Sequence, residues 1–120
     1  MSTRLKALQK QIDSGQIKTD SARVLKYIME HGNVSRFTIK LALKMNHQTA
    51  TARVSDLLDM GVIEVVGESR GHEQLIYQKD PMRQVENAYK RKKEKYTGLK
   101  KRLLNEFKEF LDLDQLEIKF

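Results

Sequence analysis

The sequence of 120 residues contains no cysteine, which excludes disulfides, thiolate metal sites and cysteine nucleophiles. No apolar run approaches the roughly 18 residues of a membrane span. The opening segment, MSTRLKALQKQ, lacks the apolar core of a secretory signal, so a cytoplasmic (or nucleoid-associated) location is expected. Catalytic constellations are missing as well. His31, His47 and His72 are isolated, and none forms a spaced set with carboxylates that would hold a metal. There is no phosphate-binding glycine loop and no nucleophile elbow. The sequence therefore predicts a protein that is not an enzyme and uses no cofactor. Effector pockets carry no short signature, so ligand sensing stays open.

What is present is positive charge. With 23 lysines and arginines against 16 acidic residues, the formal net charge is +7 and the isoelectric point is near 9.7. This excess favours a polyanionic partner, nucleic acid or a membrane surface. Hydrophobic residues make up 39%, enough for a small core. The length suits one compact domain, or one domain with an appendage.

Apolar spacing and capping residues divide the chain into segments at 1–18, 19–80 and 81–120. Leu5, Leu8 and Ile12 recur at helical spacing over residues 3–14, and Gly15 ends that element. It is expected to pack on the domain rather than form a mobile arm. A helix from about Thr19 to His31 has Thr19 as cap, with Ala22, Leu25, Ile28 and Met29 on one face and Gly32 at its end. A further helix starts after Ser35 and carries Ile39, Ala42 and Leu43 inward. A turn at Lys44 and Met45 leads to Asn46, which caps a helix running to Met60 before Gly61. Val62 to Glu68 is β-branched and reads as a strand; after the polar loop SRGHE comes a second strand, LIYQ. Three helices followed by a hairpin is the element order of a winged helix-turn-helix domain, with the wing tip at Ser69–Glu73. The expected class is mainly α with a small β-hairpin and a long C-terminal helix.

The helix after Asn46 carries the functional signal. At 100° per residue, Ala50, Val54, Leu57 and Leu58 face the core. The opposite side carries Gln48, Ala52, Ser55, Asp56 and Asp59, flanked by Thr49, Thr51 and Arg53. Its N-terminal half is short, polar and free of acids, so it suits a close approach to base edges. Gln48 fits a bidentate bond to adenine, and the methyls of Thr51 or Ala52 fit thymine. Arg53 suits a phosphate or guanine, and His47 a phosphate at the helix N-terminus. Asp56 and Asp59 would repel phosphates if the helix lay flat, so an end-on approach led by residues 46–53 is expected.

The stretch HQTATARVSDLLDMGVIE resembles the third helix and following strand of winged helix-turn-helix proteins. The resemblance includes bacterial transcription regulators of the multiple-antibiotic-resistance type and related phage and plasmid proteins. It rests on an apolar turn residue (Met45), a Gln-Thr pair, Ala-Arg, Ser-Asp-Leu and Gly-Val-Ile, and it covers residues 19–79. Lys44 departs from the glycine common in such turns. The resemblance implies double-stranded DNA as partner and a role in transcriptional control. At the wing, Arg70 and His72 are placed to meet DNA, Arg70 in the minor groove. Ser35, Arg36, Thr38 and Lys44 are candidates for the backbone. The alternative for each is an ordinary solvated side chain.

Asp80 and Pro81 open the last helix, as cap and first-turn residue. Met82, Val85, Tyr89, Lys92, Tyr96, Leu99, Leu103, Glu106 and Phe110 then alternate spacings of three and four, a heptad pattern reaching about Leu111. Unbroken, this helix spans roughly 45 Å, but a bend or break near Thr97-Gly98 is expected. Residues 90–102 hold eight positive charges and one negative; beyond Leu103 the sign reverses. Three uses compete: homodimerisation through residues 82–110, contact with DNA phosphates, or packing on the chain's own domain. The last residues alternate apolar and polar at Leu116, Ile118 and Phe120 and fit a strand, a docking tail or a frayed end. Beside the regulator, two other roles fit the sequence. One is a winged-helix adaptor that binds protein; the other is an accessory factor in DNA replication or packaging.

Overall fold

A computed structural model describes residues 3–108. Its elements are α1 (Thr3–Ser14), α2 (Asp20–His31), α3 (Arg36–Ala42), α4 (His47–Met60), β1 (Ile63–Ser69), β2 (His72–Tyr77) and α5 (Pro81–Phe107). The expectations for Phe110, Leu111, Leu116, Ile118 and Phe120 lie outside the described residues. No described helix is long and apolar enough to cross a membrane.

Four helix starts follow from side chains that satisfy otherwise orphaned amides. Thr19 Oγ1 accepts from the Ala22 amide at 3.2 Å, and Ser35 Oγ accepts from Thr38 at 3.1 Å. Asn46 Oδ1 accepts from Thr49 at 2.7 Å, and Asp80 Oδ1 accepts from Met82 at 3.1 Å, with Pro81 in the first turn. The helices meet in one core. Val24, Leu25 and Ile28 from α2, Ile39 from α3, Val54 and Leu57 from α4, Val62 and Ile63, and Leu75 from β2 are essentially inaccessible. Leu5 and Leu8 join the same core, so α1 packs on the domain as its periodicity implies. Three helices, α2 to α4, followed by an antiparallel hairpin form a winged helix-turn-helix domain.

Several details depart from the sequence reading. Ala42 is exposed rather than inward, because α3 lasts only seven residues and gives the core mainly Ile39. The hairpin strands run further than expected and leave a two-residue turn, Arg70–Gly71, in place of a five-residue loop. Both turn residues have positive φ, +52° and +79°. That is the type I′ geometry whose twist matches paired strands. Val34 adds an unforeseen bridge to Leu75, with amide–carbonyl distances of 3.1 and 2.7 Å. Finally, α5 continues through Gly98 without a break. One glycine costs a long helix only about 1 kcal/mol, which its neighbours offset.

Gly61 fixes the junction of α4, β1 and α5. It ends α4 at φ +80°, and a β-carbon there would collide with the Gln84 carbonyl oxygen and lie 2.9 Å from the Ala88 nitrogen. The first half of α5 thus rests directly on backbone. Gln84 Nε2 donates to the Gln78 carbonyl at 2.6 Å. Asn87 and Arg83 donate to the Glu64 carboxylate, Arg83 at 2.9 Å. These bonds hold the Glu64 carboxyl below its usual range, the Asn87 amide contributing most.

Candidate nucleic-acid interface

The turn before α4 is built by Leu43, Lys44 and Met45. Arg23 reaches from α2 to the Leu43 carbonyl at 2.9 Å, satisfying one end of α3. Met45 is buried beneath the turn. Lys44 has φ +53°, the left-handed conformation glycine favours. Its side chain is exposed.

From this turn α4 presents an end free of acids. His47 and Gln48 are exposed, Thr49 and Ala52 half-buried. Ala50, Val54, Leu57 and Leu58 are buried, as the helical pattern requires. The helix's two carboxylates are turned to other elements. Asp56 Oδ2 lies 3.2 Å from Arg4 of α1 and 3.3 Å from Arg53. Asp59 Oδ1 receives Arg91 at 2.8 Å and Lys95 at 2.7 Å, both from α5. Burial tends to raise the Asp59 pKa, but hydrogen bonds from Lys95 and Arg91 outweigh it and lower the carboxyl below its usual range. The sequence treated Asp56 and Asp59 as solvated charges at the departing end of the helix. Their partners on α1 and α5 were out of sight because they lie 32 or more positions away.

The wing brings a second group of side chains to the same end of α4. Arg36, Phe37, His47, Gly71, His72 and Glu73 line a cleft of about 220 Å³ between the starts of α3 and α4 and the wing tip. Phe37 and His72 stack with centroids 5.4 Å apart, and Lys40 lies 5.9 Å from the Phe37 ring centre. Arg36 Nη1 donates to Glu73 Oε1 at 2.7 Å, tying α3 to the wing. Glu73 sits opposite Glu68 in the hairpin, so this pairing also offsets a like-charge contact. Arg70 is exposed at the tip.

The sequence-derived residues divide accordingly. His47 and His72 line one cleft with Arg36, while Gln48, Thr38, Lys44 and Arg70 are exposed. Ser35 is buried, and its hydroxyl is committed to the cap and to Thr38 Oγ1 at 3.1 Å. Thr51 is half-buried, with a hydroxyl oxygen out of solvent and without a hydrogen-bond partner among the described residues. Arg53 is turned toward Asp56. Phe37 had no helical or strand signal of its own; its exposure beside two histidines is visible only in three dimensions.

No protein-family model and no curated protein sequence matches this chain. Two solved structures are similar in outline. One is the activation domain of the phage T4 transcription factor MotA, 13% identical, covering 73% of this chain and 90% of that one with a TM-score of 0.43. The other is the multiple antibiotic-resistance repressor (MarR) from Listeria monocytogenes 4b F2365. It is 18% identical and covers 93% of this chain and 80% of that one, with a TM-score of 0.48.

Proposed function

We propose that the protein binds double-stranded DNA through the N-terminal end of α4 and the wing, as a homodimeric transcription regulator. The observation that carries this reading is the separation of charge along α4. Its carboxylates are held by Arg4, Arg53, Arg91 and Lys95 at one end, while the other end, with His47 and Gln48, carries no acidic residue of the helix. Positive groups at Lys44 and Arg70 flank that free end. The phosphate backbone supplies most of the affinity to such a surface, and short polar side chains read base edges. Gln48 is the leading candidate for a base contact, while Arg36 and His72 frame the wing side. Arg53 reaches DNA only by leaving Asp56. The apolar stripe of α5 supports a dimer, which suits an inverted-repeat site.

The test is selection from a random-sequence duplex library at about 150 mM salt. An enriched inverted repeat is the expected outcome. Gln48→Ala should then weaken binding to that site by about 1–3 kcal/mol without changing the thermal midpoint. No enrichment, with binding lost as salt rises, would remove the regulator reading. A second reading, a protein-binding adaptor, draws on Phe37 and Leu41, which are 49% and 59% exposed on the outer face of α3. It predicts a tight protein complex that Phe37→Ser with Leu41→Ser abolishes.

A further inference from the structure

The exposed stripe of α5 and the groove beside it specify how two copies would meet, which deepens the dimer reading above. Met82, Val85, Tyr89, Tyr96, Leu99 and Leu103 are all between 43% and 69% exposed. Their spacing sets them in one line about 32 Å long. This line is not the face by which α5 packs on its own domain. That face carries Gln84, Asn87, Ala88, Arg91 and Lys95. Along the stripe's first half runs a groove of about 500 Å³ between α1, the end of α4 and α5. Leu5, Met60, Pro81, Val85, Ala88 and Tyr89 give it an apolar lining.

We propose that α5 of a second copy packs antiparallel along this stripe and sets its Leu103 against Val85, at the wall of the groove between α1 and α5. The direction follows from the two charged residues in the stripe, Lys92 and Glu106. A symmetric parallel pair sets each residue against its own copy, so Lys92 would meet Lys92 and Glu106 would meet Glu106 in the seam. An antiparallel pair sets each against a different residue. One register keeps the whole stripe within the described helix: Met82 meets Glu106, Val85 meets Leu103, Tyr89 meets Leu99 and Lys92 meets Tyr96. Lys92 then lies over an aromatic ring, a favourable cation–π contact. Glu86 comes alongside the second copy's Lys100 and Arg102. In the same register Phe107, 49% exposed, lies level with Pro81 at the end of the seam.

The absence of native cysteine makes this directly testable. Full-length chains carrying Val85→Cys or Leu103→Cys are oxidised separately and as a mixture. The expected result is a disulfide-linked dimer in the mixture, with less than a tenth as much from either chain alone. Equal cross-linking of each chain with itself would mean a parallel pair and overturn the proposal. So would the absence of any cross-link in the mixture, whatever the mass found by sedimentation. Leu103→Glu should raise the dimer dissociation constant at least tenfold while leaving the monomer's thermal midpoint unchanged; an unchanged constant would remove Leu103 from the seam and overturn the proposal. None of these readouts involves DNA. A cross-linked dimer that selects no sequence would count against the DNA-binding reading and leave this one standing.

Discussion

The helices α4 and α5 start alike, each with an Asx cap and an apolar periodicity, and end in opposite situations. In α4 the whole apolar stripe, Ala50, Val54, Leu57 and Leu58, is buried within the domain. In α5 only Gln84 is buried, and seven large hydrophobic side chains remain exposed. Periodicity reports that a helix has a face to cover; it does not report what covers it. For α4 the chain supplies the cover itself. For α5 the described residues supply polar and backbone contacts along a neighbouring face and leave the apolar stripe exposed, the face assigned above to a second copy.

This contrast can be broken from either side. The largest effect is expected at the junction between the two helices. Gly61→Ala forces a β-carbon onto the Gln84 carbonyl at a left-handed position, so α5 must lift from its seat. A loss of about 4 kcal/mol or more is expected in urea unfolding. Next, Leu57→Ala in α4 should cost about 3 kcal/mol, because the residue is fully buried. Leu99→Ala in α5, at a position 48% exposed, should cost the monomer less than about 0.5 kcal/mol. Equal costs for the two leucines, measured at a concentration where the chain is monomeric, would erase the distinction between covered and uncovered stripes.

Acid sharpens the same comparison. Asp59 and Glu64 both have lowered carboxyl pKa values, and both hold residues of α5. A carboxyl whose folded pKa is depressed adds stability that is complete above its unfolded value and is lost as pH falls through the folded one. The seating of α5 should therefore weaken below about pH 4, the ordinary carboxylate range. Amide exchange in α5 should rise there before exchange in α2. The smallest effect concerns Thr51. Its hydroxyl is buried without a partner among the described residues, so Thr51→Val should leave stability unchanged or raise it by about 1 kcal/mol. A clear loss of stability would show that the hydroxyl makes a bond in solution.

Much of the fold was legible because it rests on local chemistry. Thr19, Ser35, Asn46 and Asp80 cap helices through their own nearby amides. Gly15, Gly32 and Gly61 close helices at positive φ. The site was legible in outline, since the acid-free start of α4 is a property of consecutive residues. The inward placement of Ala42 failed because the length of α3 depends on how the turn at Lys44 is held from α2. The short wing turn was missed because Arg70 adopts a positive φ that non-glycine residues seldom take. Ser35 illustrates competition for one group: its hydroxyl suits a phosphate, but the cap takes it.

The sequence by itself determined the order of elements, the helix caps, the core faces of α1, α2 and α4 and the excess of positive charge. These depend on spacing and on groups within a few residues of one another. Only the tertiary structure decided where the charges of α4 are neutralised. It also decided that Phe37 meets His72, that Gly61 lies beneath Gln84, and which face of α5 is left bare. Those outcomes depend on residues brought together from 23 to 52 positions apart, and no local pattern encodes which of several chemically suitable partners the folded chain will place within reach.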